Sequence, residues 1–191
     1  MPYTQTHRPM SVPEWIAYEE TTDARHDYID GECRELWPLT VLHAQRCTRL
    51  GVLLFEQTRK TKFQFYGGSL RIGVEPGRCY LHPNGSIFDA EPIEDLDDPV
   101  PHGYLNPRVI FEVVEEETLH YDAGRKFEAW RSVPSVREIL LIDTAEPRVH
   151  AYEREEGGGW SVRFWSGLDA VVPIRTASIG LPLGPLYEPW W

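Results

Sequence analysis

The segment from Asn106 to Asp143 constrains the fold more than any other part of this sequence. It begins with Asn106-Pro107 and continues into an apolar run, Val109 to Val114, that contains one acidic residue, Glu112. A carboxylate within a run of β-branched residues is costly to bury unless a positive charge meets it. The candidates for that charge are a bound metal ion and Lys126.

The residues around Glu112 predict a strand, a helix and a second strand. We expect the first strand at Arg108 to Val114, the helix from Asp122 to about Ser132 and the second strand at Arg137 to Asp143. This order of elements, with an acid in the first strand and a lysine on the helix, is typical of a metal-dependent phosphodiesterase core.

Local patterns predict the remaining elements. A capping box with proline in its first turn, starting at Ser11, opens a helix that runs to about Glu20. Longer-range patterns predict a hairpin at Asp27 to Leu36 with its turn at Asp30-Gly31, an amphipathic helix from Thr40 to about Thr58, several short strands between Phe63 and Ala90, and a hairpin formed by Arg148 to Glu153 and Trp160 to Trp165.

Length and composition indicate one soluble domain that spans residues 1–191. No linker rich in Pro, Gly or Ser divides the chain, and 191 residues are enough for one core. The three cysteines stand far apart without a CxxC pair, which favours a reducing cytoplasm over a disulfide framework or a zinc site. No apolar run is long enough to cross a bilayer, so we expect no membrane contact.

The formal net charge of −11 argues against nucleic-acid binding, because affinity for DNA comes largely from Lys and Arg that neutralise phosphates. Nuclease sites are themselves acidic, so the charge does not exclude a nuclease. If a phosphate-binding face exists, we expect it along the basic stretch from Arg46 to Lys62.

An ordered set of motifs from about Ser11 to Tyr187 resembles the Uma-two family of endonucleases, which is assigned to the restriction-endonuclease-like PD-(D/E)xK superfold. The motifs are His26-Asp27-Tyr28-Ile29-Asp30-Gly31-Glu32, Leu42-His43, Tyr80-Leu81-His82-Pro83-Asn84, Asn106-Pro107 with Glu112-Val113, Asp122, Lys126-Phe127 and Pro134-Ser135-Val136-Arg137-Glu138. The resemblance implies an α/β fold: a restriction-endonuclease-like mixed central sheet flanked by helices, to which the C-terminal third adds β-hairpins.

The resemblance also implies a set of site residues. Glu112 corresponds to the second acid of the metal site and would bind Mg²⁺ or Mn²⁺, with Asn84 and Glu32 as further ligands. The lysine that usually follows two residues after that acid is replaced by Val114, and in the resembled family the lysine comes from the following helix, as Lys126 does here. Lys126 would orient the attacking water.

His43 and Glu32 complete the catalytic set that the family implies, and each has a second interpretation. His43 could carry a proton or contact a phosphate. A single histidine on a helix is, however, often a hydrogen-bonded structural residue. Glu32 could approach the site or face solvent on its strand. For the pair formed by Asp122 and Lys126, the alternative to a catalytic role is a helix N-cap with a solvated ion-pair partner.

Two departures from the family pattern weaken the predicted metal site. The family has Pro-Asp where this chain has Pro83-Asn84, and a neutral amide oxygen binds a divalent ion less tightly than a carboxylate does. Asp89 lies at an odd offset from Asn84, so in a regular strand it faces the opposite side. Three acids, Glu115 to Glu117, stand where the family usually has Ser-Pro-Ser, and they repel phosphate.

Two functions are therefore open. The first is a divalent-metal-dependent DNA endonuclease with a partly degenerate active site, and the second is a catalytically inactive nuclease-fold protein that serves binding or assembly. We also expect a homodimer with Trp190 and Trp191 at or near its interface, because an aromatic C-terminus on a chain with a full core leaves apolar surface to cover.

Overall fold

The computed structural model describes residues 7–36, 40–75, 78–94, 96, 103–116 and 121–189. Its strands are β1 (His7–Pro9), β2 (His26–Ile29), β3 (Glu32–Glu35), β4 (Gln64–Gly67), β5 (Arg71–Glu75), β6 (Cys79–Leu81), β7 (Gly85–Phe88), β8 (Gly103–Tyr104), β9 (Val109–Val114), β10 (Glu138–Asp143), β11 (Arg148–Arg154), β12 (Trp160–Ser166), β13 (Val171–Ile174) and β14 (Ile179–Pro182). Its α-helices are α1 (Val12–Glu19), α2 (Val41–Thr58), α3 (Phe127–Ser132) and α4 (Leu183–Tyr187).

The strands form two six-stranded sheets and one two-stranded sheet. The first large sheet has the order β1-β3-β2-β6-β5-β8, and the second has the order β12-β11-β10-β9-β7-β4. In the second sheet β9 and β10 are parallel, whereas the other neighbouring strands are antiparallel. A parallel pair needs a crossover connection. Here that connection contains a π-helical turn, Asp122–Lys126, followed directly by α3.

The structure contains the elements that the local signals in the sequence predict. The capping box at Ser11 and Glu14 is formed and starts α1. Asp30 and Gly31 adopt φ angles of 49° and 86°, the left-handed conformation that a two-residue hairpin turn between β2 and β3 requires. The Thr40 hydroxyl caps α2 by accepting the N–H of His43. The predicted hairpin of β11 and β12 is also present.

Side chains on β9 alternate between two cores, and this alternation determines which core Glu112 faces. Phe111 and Val113 join the core that α2 covers with Leu50 and Leu54. Ile110 and Val114 join the opposite core, in which residues of both large sheets pack with α3. Because successive side chains of a strand point to opposite faces, Glu112 lies on the α3 side.

The prediction of a basic phosphate-binding face along α2 is wrong for its two central arginines. Arg46 and Arg49 are buried, and their guanidinium groups donate hydrogen bonds to the backbone carbonyls of Thr144, Leu186 and Glu188. They attach the C-terminal segment to α2. The other basic residues of the stretch, Arg59, Lys60 and Lys62, are exposed at and beyond the C-terminal end of α2.

The structure describes some of the tryptophans and not others. Trp15 and Trp130 are fully buried, and Trp165 packs against the core covered by α2. The predicted interface residues Trp190 and Trp191 lie outside the described residues, as does Trp37. The three cysteines are free thiols. No helix among the described residues is long and apolar enough to cross a membrane.

Candidate active site

Glu112 and Lys126 are in direct contact at the centre of the predicted site. The Lys126 ammonium lies 3.1 Å from Oε1 and 3.2 Å from Oε2 of Glu112. Glu112 is 1% exposed and Lys126 is 3% exposed. The sequence therefore paired these two residues correctly. The alternative in which Lys126 belongs to a solvated ion pair with Asp122 is wrong, because Asp122 and Lys126 are both buried.

Two further groups fix the contact. The indole N–H of Trp130 donates to Oε1 of Glu112 over 2.7 Å, and the Lys126 ammonium donates to the His82 carbonyl over 2.8 Å. A buried carboxylate with several donors is held in one orientation, because each unpaired lone pair in the interior costs free energy. Trp130 and Lys126 come from the same crossover connection, so that connection positions Glu112.

A second acid, Asp27, lies behind the lysine. Its side chain is completely buried, and its Oδ2 atom is 3.6 Å from the Lys126 ammonium. Oδ1 accepts the backbone N–H of His82 over 2.8 Å and faces the His82 ring, while Oδ2 also accepts the Tyr121 hydroxyl over 3.0 Å. Asp27 thus contacts four groups, which belong to the three residues His82, Tyr121 and Lys126.

Two further charged residues, Asp122 and Arg34, lie near this cluster. Asp122 is buried and interacts electrostatically with both Glu112 and Lys126. Arg34, on β3, places its guanidinium 3.3 Å from the centre of the Tyr121 ring. With histidines neutral, the buried carboxylates of Asp27, Glu112 and Asp122 face two buried cations, so one formal negative charge is left over.

Burial and the charges of this cluster shift the pKa values of Glu112, Lys126 and Asp27. Burial raises the pKa of Glu112 to about 7, and Lys126 opposes the rise without cancelling it. Burial alone would lower the pKa of Lys126, but the carboxylates of Glu112 and Asp27 raise it above its ordinary value. Burial would raise the pKa of Asp27, but Lys126 and the His82 hydrogen bonds hold it below its ordinary value. The pKa of Glu112 thus lies near neutral pH, whereas that of Asp27 lies below its ordinary value.

The π-helical turn before α3 sets the direction of Lys126. Within it Gly124 has φ and ψ of −108° and −108°, which departs from helical geometry. Short π-helical turns inside α-helices are frequent at functional sites, because the extra residue rotates the side chains that follow. Asp122 and Lys126 are four positions apart, which places them on one face of the turn, and both are buried.

Asn84 lies beside Glu112, and its side-chain oxygen accepts a hydrogen bond from the backbone. It precedes β7, and its Oδ1 atom accepts the N–H of Val113 over 2.7 Å. A carbonyl oxygen has a second lone pair, so this bond leaves one acceptor position on Asn84. Asp89 forms an ion pair with Arg108 at 3.2 Å. This contact agrees with the expectation that Asp89 does not replace Asn84.

His43 and Glu115 join the N-terminus of α2 to the end of β9. His43 is buried, and its Nε2 atom lies 3.0 Å from the carbonyl oxygen of Val113. Glu115 accepts a short hydrogen bond from the Thr40 hydroxyl. Burial lowers the pKa of His43. The structure thus gives His43 a hydrogen-bonded position next to the site, and Glu117 of the acidic run lies outside the described residues.

Glu32 is placed away from the Lys126 ammonium. Its carboxylate pairs with Arg125, and both side chains are about half exposed. Arg125 precedes Lys126 in the π-helical turn, so Glu32 contacts the outer side of the same turn. The structure brings together Glu112, Lys126, Asn84 and His43 around β9, and it places Glu32 at the surface.

The most informative residues that sequence reasoning missed are Asp27 and Trp130. Asp27 lies in the first family motif, but an acid next to a hairpin turn is ordinarily a surface residue. The pairing of β2 with β6 brings it to Lys126, and hydrophobic periodicity does not predict that pairing. Trp130 reads as a core residue, and its indole N–H gains a role only because Glu112 lies within reach.

Comparisons with known proteins agree with this arrangement. A family model described as "Uma2: Putative restriction endonuclease" matches residues 12–181. Two proteins of Synechocystis sp. (strain ATCC 27184 / PCC 6803 / Kazusa) are similar over most of their length. The uncharacterized protein sll1609 is 23% identical, with 91% of this chain and 97% of that protein covered, and slr1290 is 22% identical, with 90% and 87% covered.

A solved structure shares the fold. The crystal structure titled as a "putative nuclease belonging to DUF820" from Anabaena variabilis ATCC 29413 superposes with a TM-score of 0.73 at 16% identity, covering 94% of this chain and 98% of that chain. The restriction-endonuclease-like α/β fold expected from the sequence is therefore confirmed. The family match spans most of the chain and includes the segments that carry Asp27, Glu112 and Lys126, and this protein belongs to the Uma2 family.

Proposed function

We propose that this protein is a divalent-metal-dependent DNA endonuclease that hydrolyses phosphodiester bonds at the site around Glu112 and Lys126. The observation that carries the proposal is the buried contact between these two residues, in a chain that belongs to a family described as restriction endonucleases. A structural ion pair seldom needs burial on this scale, because removing two charges from water costs more than most pairs regain.

The side chains at the site fit a hard divalent cation in charge and in donor chemistry. The buried groups retain one formal negative charge when Glu112 is ionised, and burial raises the pKa of Glu112 despite the nearby Lys126. Among the described residues no three His, Cys, Asp or Glu side chains form a metal cluster. Mg²⁺ does not need one, since it is usually held by one or two carboxylates, waters and substrate phosphates. Glu112 and Asn84 would hold it.

A bound Mg²⁺ or Mn²⁺ supplies an activated water and relieves charge on the phosphate. Lys126 would add a fixed positive charge beside the phosphate, and its bond to the His82 carbonyl keeps the ammonium from moving with the substrate. His43 would hold the end of β9 through the Val113 carbonyl, and so fix the backbone that carries Glu112.

Cleavage of supercoiled plasmid DNA tests the proposal. The wild-type protein with Mn²⁺ or Mg²⁺ should nick the plasmid, and EDTA should stop the reaction. Glu112→Gln and Lys126→Met should each reduce the rate on the order of a hundredfold or more, as loss of electrostatic stabilisation usually does. Glu153→Gln, on the far hairpin, is the matched control and should keep the wild-type rate.

A second candidate function is a catalytically inactive nuclease-fold protein that serves binding or assembly, and two observations favour it. Asn84 stands where the family pattern has a carboxylate, and its oxygen already accepts the Val113 N–H. The carboxylate oxygens of Glu112 and Asp27 also accept hydrogen bonds from protein donors. In this case the Lys126 ammonium occupies the place of the metal ion, and the cluster stabilises the fold.

Calorimetric titration with Mn²⁺ separates the two candidates. Binding in the wild-type protein that is lost in Glu112→Gln, with both proteins folded by circular dichroism, supports the endonuclease. If the wild-type protein neither binds Mn²⁺ nor nicks DNA while it stays folded, the inactive protein is the correct assignment.

A further inference from the structure

Helix α2 carries an uncharged stripe along its exposed side. The stripe consists of Val41, Ala44, Thr48, Val52 and Phe55, all of which are exposed. Val41 is 84% exposed, Phe55 55% and Val52 47%. The intervals of three and four residues place these side chains on one helix face. In a chain with a formal net charge of −11, an exposed face of four turns without a charge calls for a function.

The stripe is symmetric about Thr48. Val41 and Phe55 lie seven residues on either side of Thr48, and Ala44 and Val52 lie four residues on either side. If two copies of α2 pack antiparallel across a twofold axis at Thr48, the small Val41 meets the large Phe55 of the second copy, and Ala44 meets Val52. A twofold interface must be complementary to itself in this way. Small residues at the centre also let two helices approach closely.

We propose that a second copy of this chain docks on the stripe, with the two α2 helices antiparallel and Thr48 on the twofold axis. This interface is formed by α2, whereas the sequence alone led us to expect one at Trp190 and Trp191. The proposal does not depend on nuclease activity, so its test and that of the proposed function can fail separately.

Charges at the two ends of the helix favour the same arrangement. Arg59, Lys60 and Lys62 are exposed just beyond the C-terminus of α2. At the N-terminal end, Glu115 contacts Thr40 and Glu116 is exposed beside it. Val41 and Phe55 are separated by about 21 Å along the axis, at 1.5 Å per residue. Antiparallel packing therefore brings the basic end of each copy beside the acidic end of the other.

The chain offers a competing surface that serves as a control. Strand β12 is the edge of its sheet and exposes Val162 and Phe164, which are 56% and 55% exposed. An exposed edge strand can pair with another chain. Val162→Glu would disrupt association through β12 and leave α2 untouched.

Sedimentation velocity of the full-length protein tests the proposal. The wild-type protein should sediment as a dimer of 22.1 kDa chains. Thr48→Glu places two like charges at the axis and should raise the dissociation constant on the order of a hundredfold. Val162→Glu should remain a dimer. A monomeric wild-type protein, a dimer that survives Thr48→Glu or one that Val162→Glu dissociates would each overturn the proposal.

A charge swap tests the register. Val41→Lys and Phe55→Glu should each weaken the dimer, because each places a charge against an apolar side chain of the second copy. The double variant should restore it, because each introduced lysine then meets an introduced glutamate of the other copy, and the twofold axis repeats this pair so that the interface contains two. All these positions are exposed, so thermal unfolding should show that every variant is folded. Failure of the double variant to recover would contradict the antiparallel register.

Discussion

The side-chain oxygen of Asn84 lies 2.7 Å from the backbone nitrogen of Val113, the residue that follows Glu112. This hydrogen bond joins the start of β7 to β9 at the site, so Asn84 has a structural role whether or not a metal binds. Any replacement at position 84 must keep an acceptor in the same place.

Asn84→Asp keeps that acceptor and adds a negative charge, because a carboxylate oxygen also accepts the Val113 N–H. We expect Mn²⁺ affinity to rise on the order of tenfold, since ligand charge is a main determinant of divalent-ion affinity. Calorimetric titration measures the change, and plasmid nicking should increase with it. Adding Glu112→Ala should abolish both gains.

Asn106 provides the matched control for that variant. Its Oδ1 atom accepts the N–H of Ile93 over 2.7 Å, a bond of the same kind in a different loop. Asn106→Asp should leave Mn²⁺ affinity and nicking unchanged. If Asn84→Asp also changes neither while the protein stays folded, Asn84 is only a turn residue and the metal site is mapped wrongly.

Glu112 should make stability depend on pH in the direction opposite to a carboxylate whose pKa is lowered by folding. Its pKa is raised to about 7 from an ordinary 4.5, so the folded protein binds this proton more tightly than the unfolded chain does. The contribution of Glu112 to stability therefore falls as pH rises from about 4.5 to 7. Glu112→Gln removes this dependence.

Urea unfolding at the two ends of that pH range checks whether the contribution of Glu112 to stability falls as pH rises. We compare the free energy of unfolding of Glu112→Gln with that of the wild-type protein at each pH. This difference should shift in favour of the variant by on the order of 1 to 3 kcal/mol from the lower to the higher pH. Glu153→Gln, at a partly exposed carboxylate, serves as the comparison. A free-energy difference between Glu112→Gln and wild type that stays constant with pH would show that folding does not raise the pKa of Glu112.

Lys126→Met should destabilise the protein by about 3 to 5 kcal/mol at neutral pH, because it leaves the buried Glu112 and Asp27 without their common cation. Lys60→Met changes an exposed lysine and should cost little. Combining Lys126→Met with Glu112→Gln should recover part of the loss, and the double-mutant cycle measures the coupling. Strict additivity would contradict a direct interaction.

Gly85→Ala should destabilise β7 by about 1 to 3 kcal/mol, the usual cost of overpacking a core. A Cβ atom at Gly85 would lie 2.8 Å from the Phe65 ring, which packs edge-on against Phe111. Gly157→Ala is the control, because a Cβ atom there meets nothing within 4 Å. Urea unfolding of the two variants compares them directly, and equal midpoints would mean that the Phe65 ring moves freely.

Short-range signals in the sequence predicted much of the fold. The capping box at Ser11, the Asp30-Gly31 turn and the strand at Arg108 to Val114 depend on neighbouring residues, and each prediction was correct. The contact of Glu112 with Lys126 followed from the cost of an unpaired buried acid. That argument needs only one acid, one strand and one basic residue on the next helix.

Long-range contacts account for what the sequence did not predict. Arg46 looks like a surface residue of an amphipathic helix, and its acceptors are backbone carbonyls that no sequence pattern identifies. Asp27 reaches Lys126 through strand pairing across the first sheet. The family resemblance placed Glu32 in the site because it lies near in sequence to the hairpin turn, but its strand directs it to Arg125 at the surface.

The hydrogen bond from Arg46 to the Leu186 carbonyl spans 140 positions in sequence. On the ribosome, at roughly 5 to 20 residues per second, α2 is complete on the order of 10 s before the residues that accept its arginine hydrogen bonds are made. During that interval the Leu186 and Glu188 carbonyls are not yet available to the guanidinium groups of Arg46 and Arg49. A chain truncated before Leu186 should therefore stay open to protease and chaperones, because it never acquires the carbonyls that Arg46 and Arg49 bind.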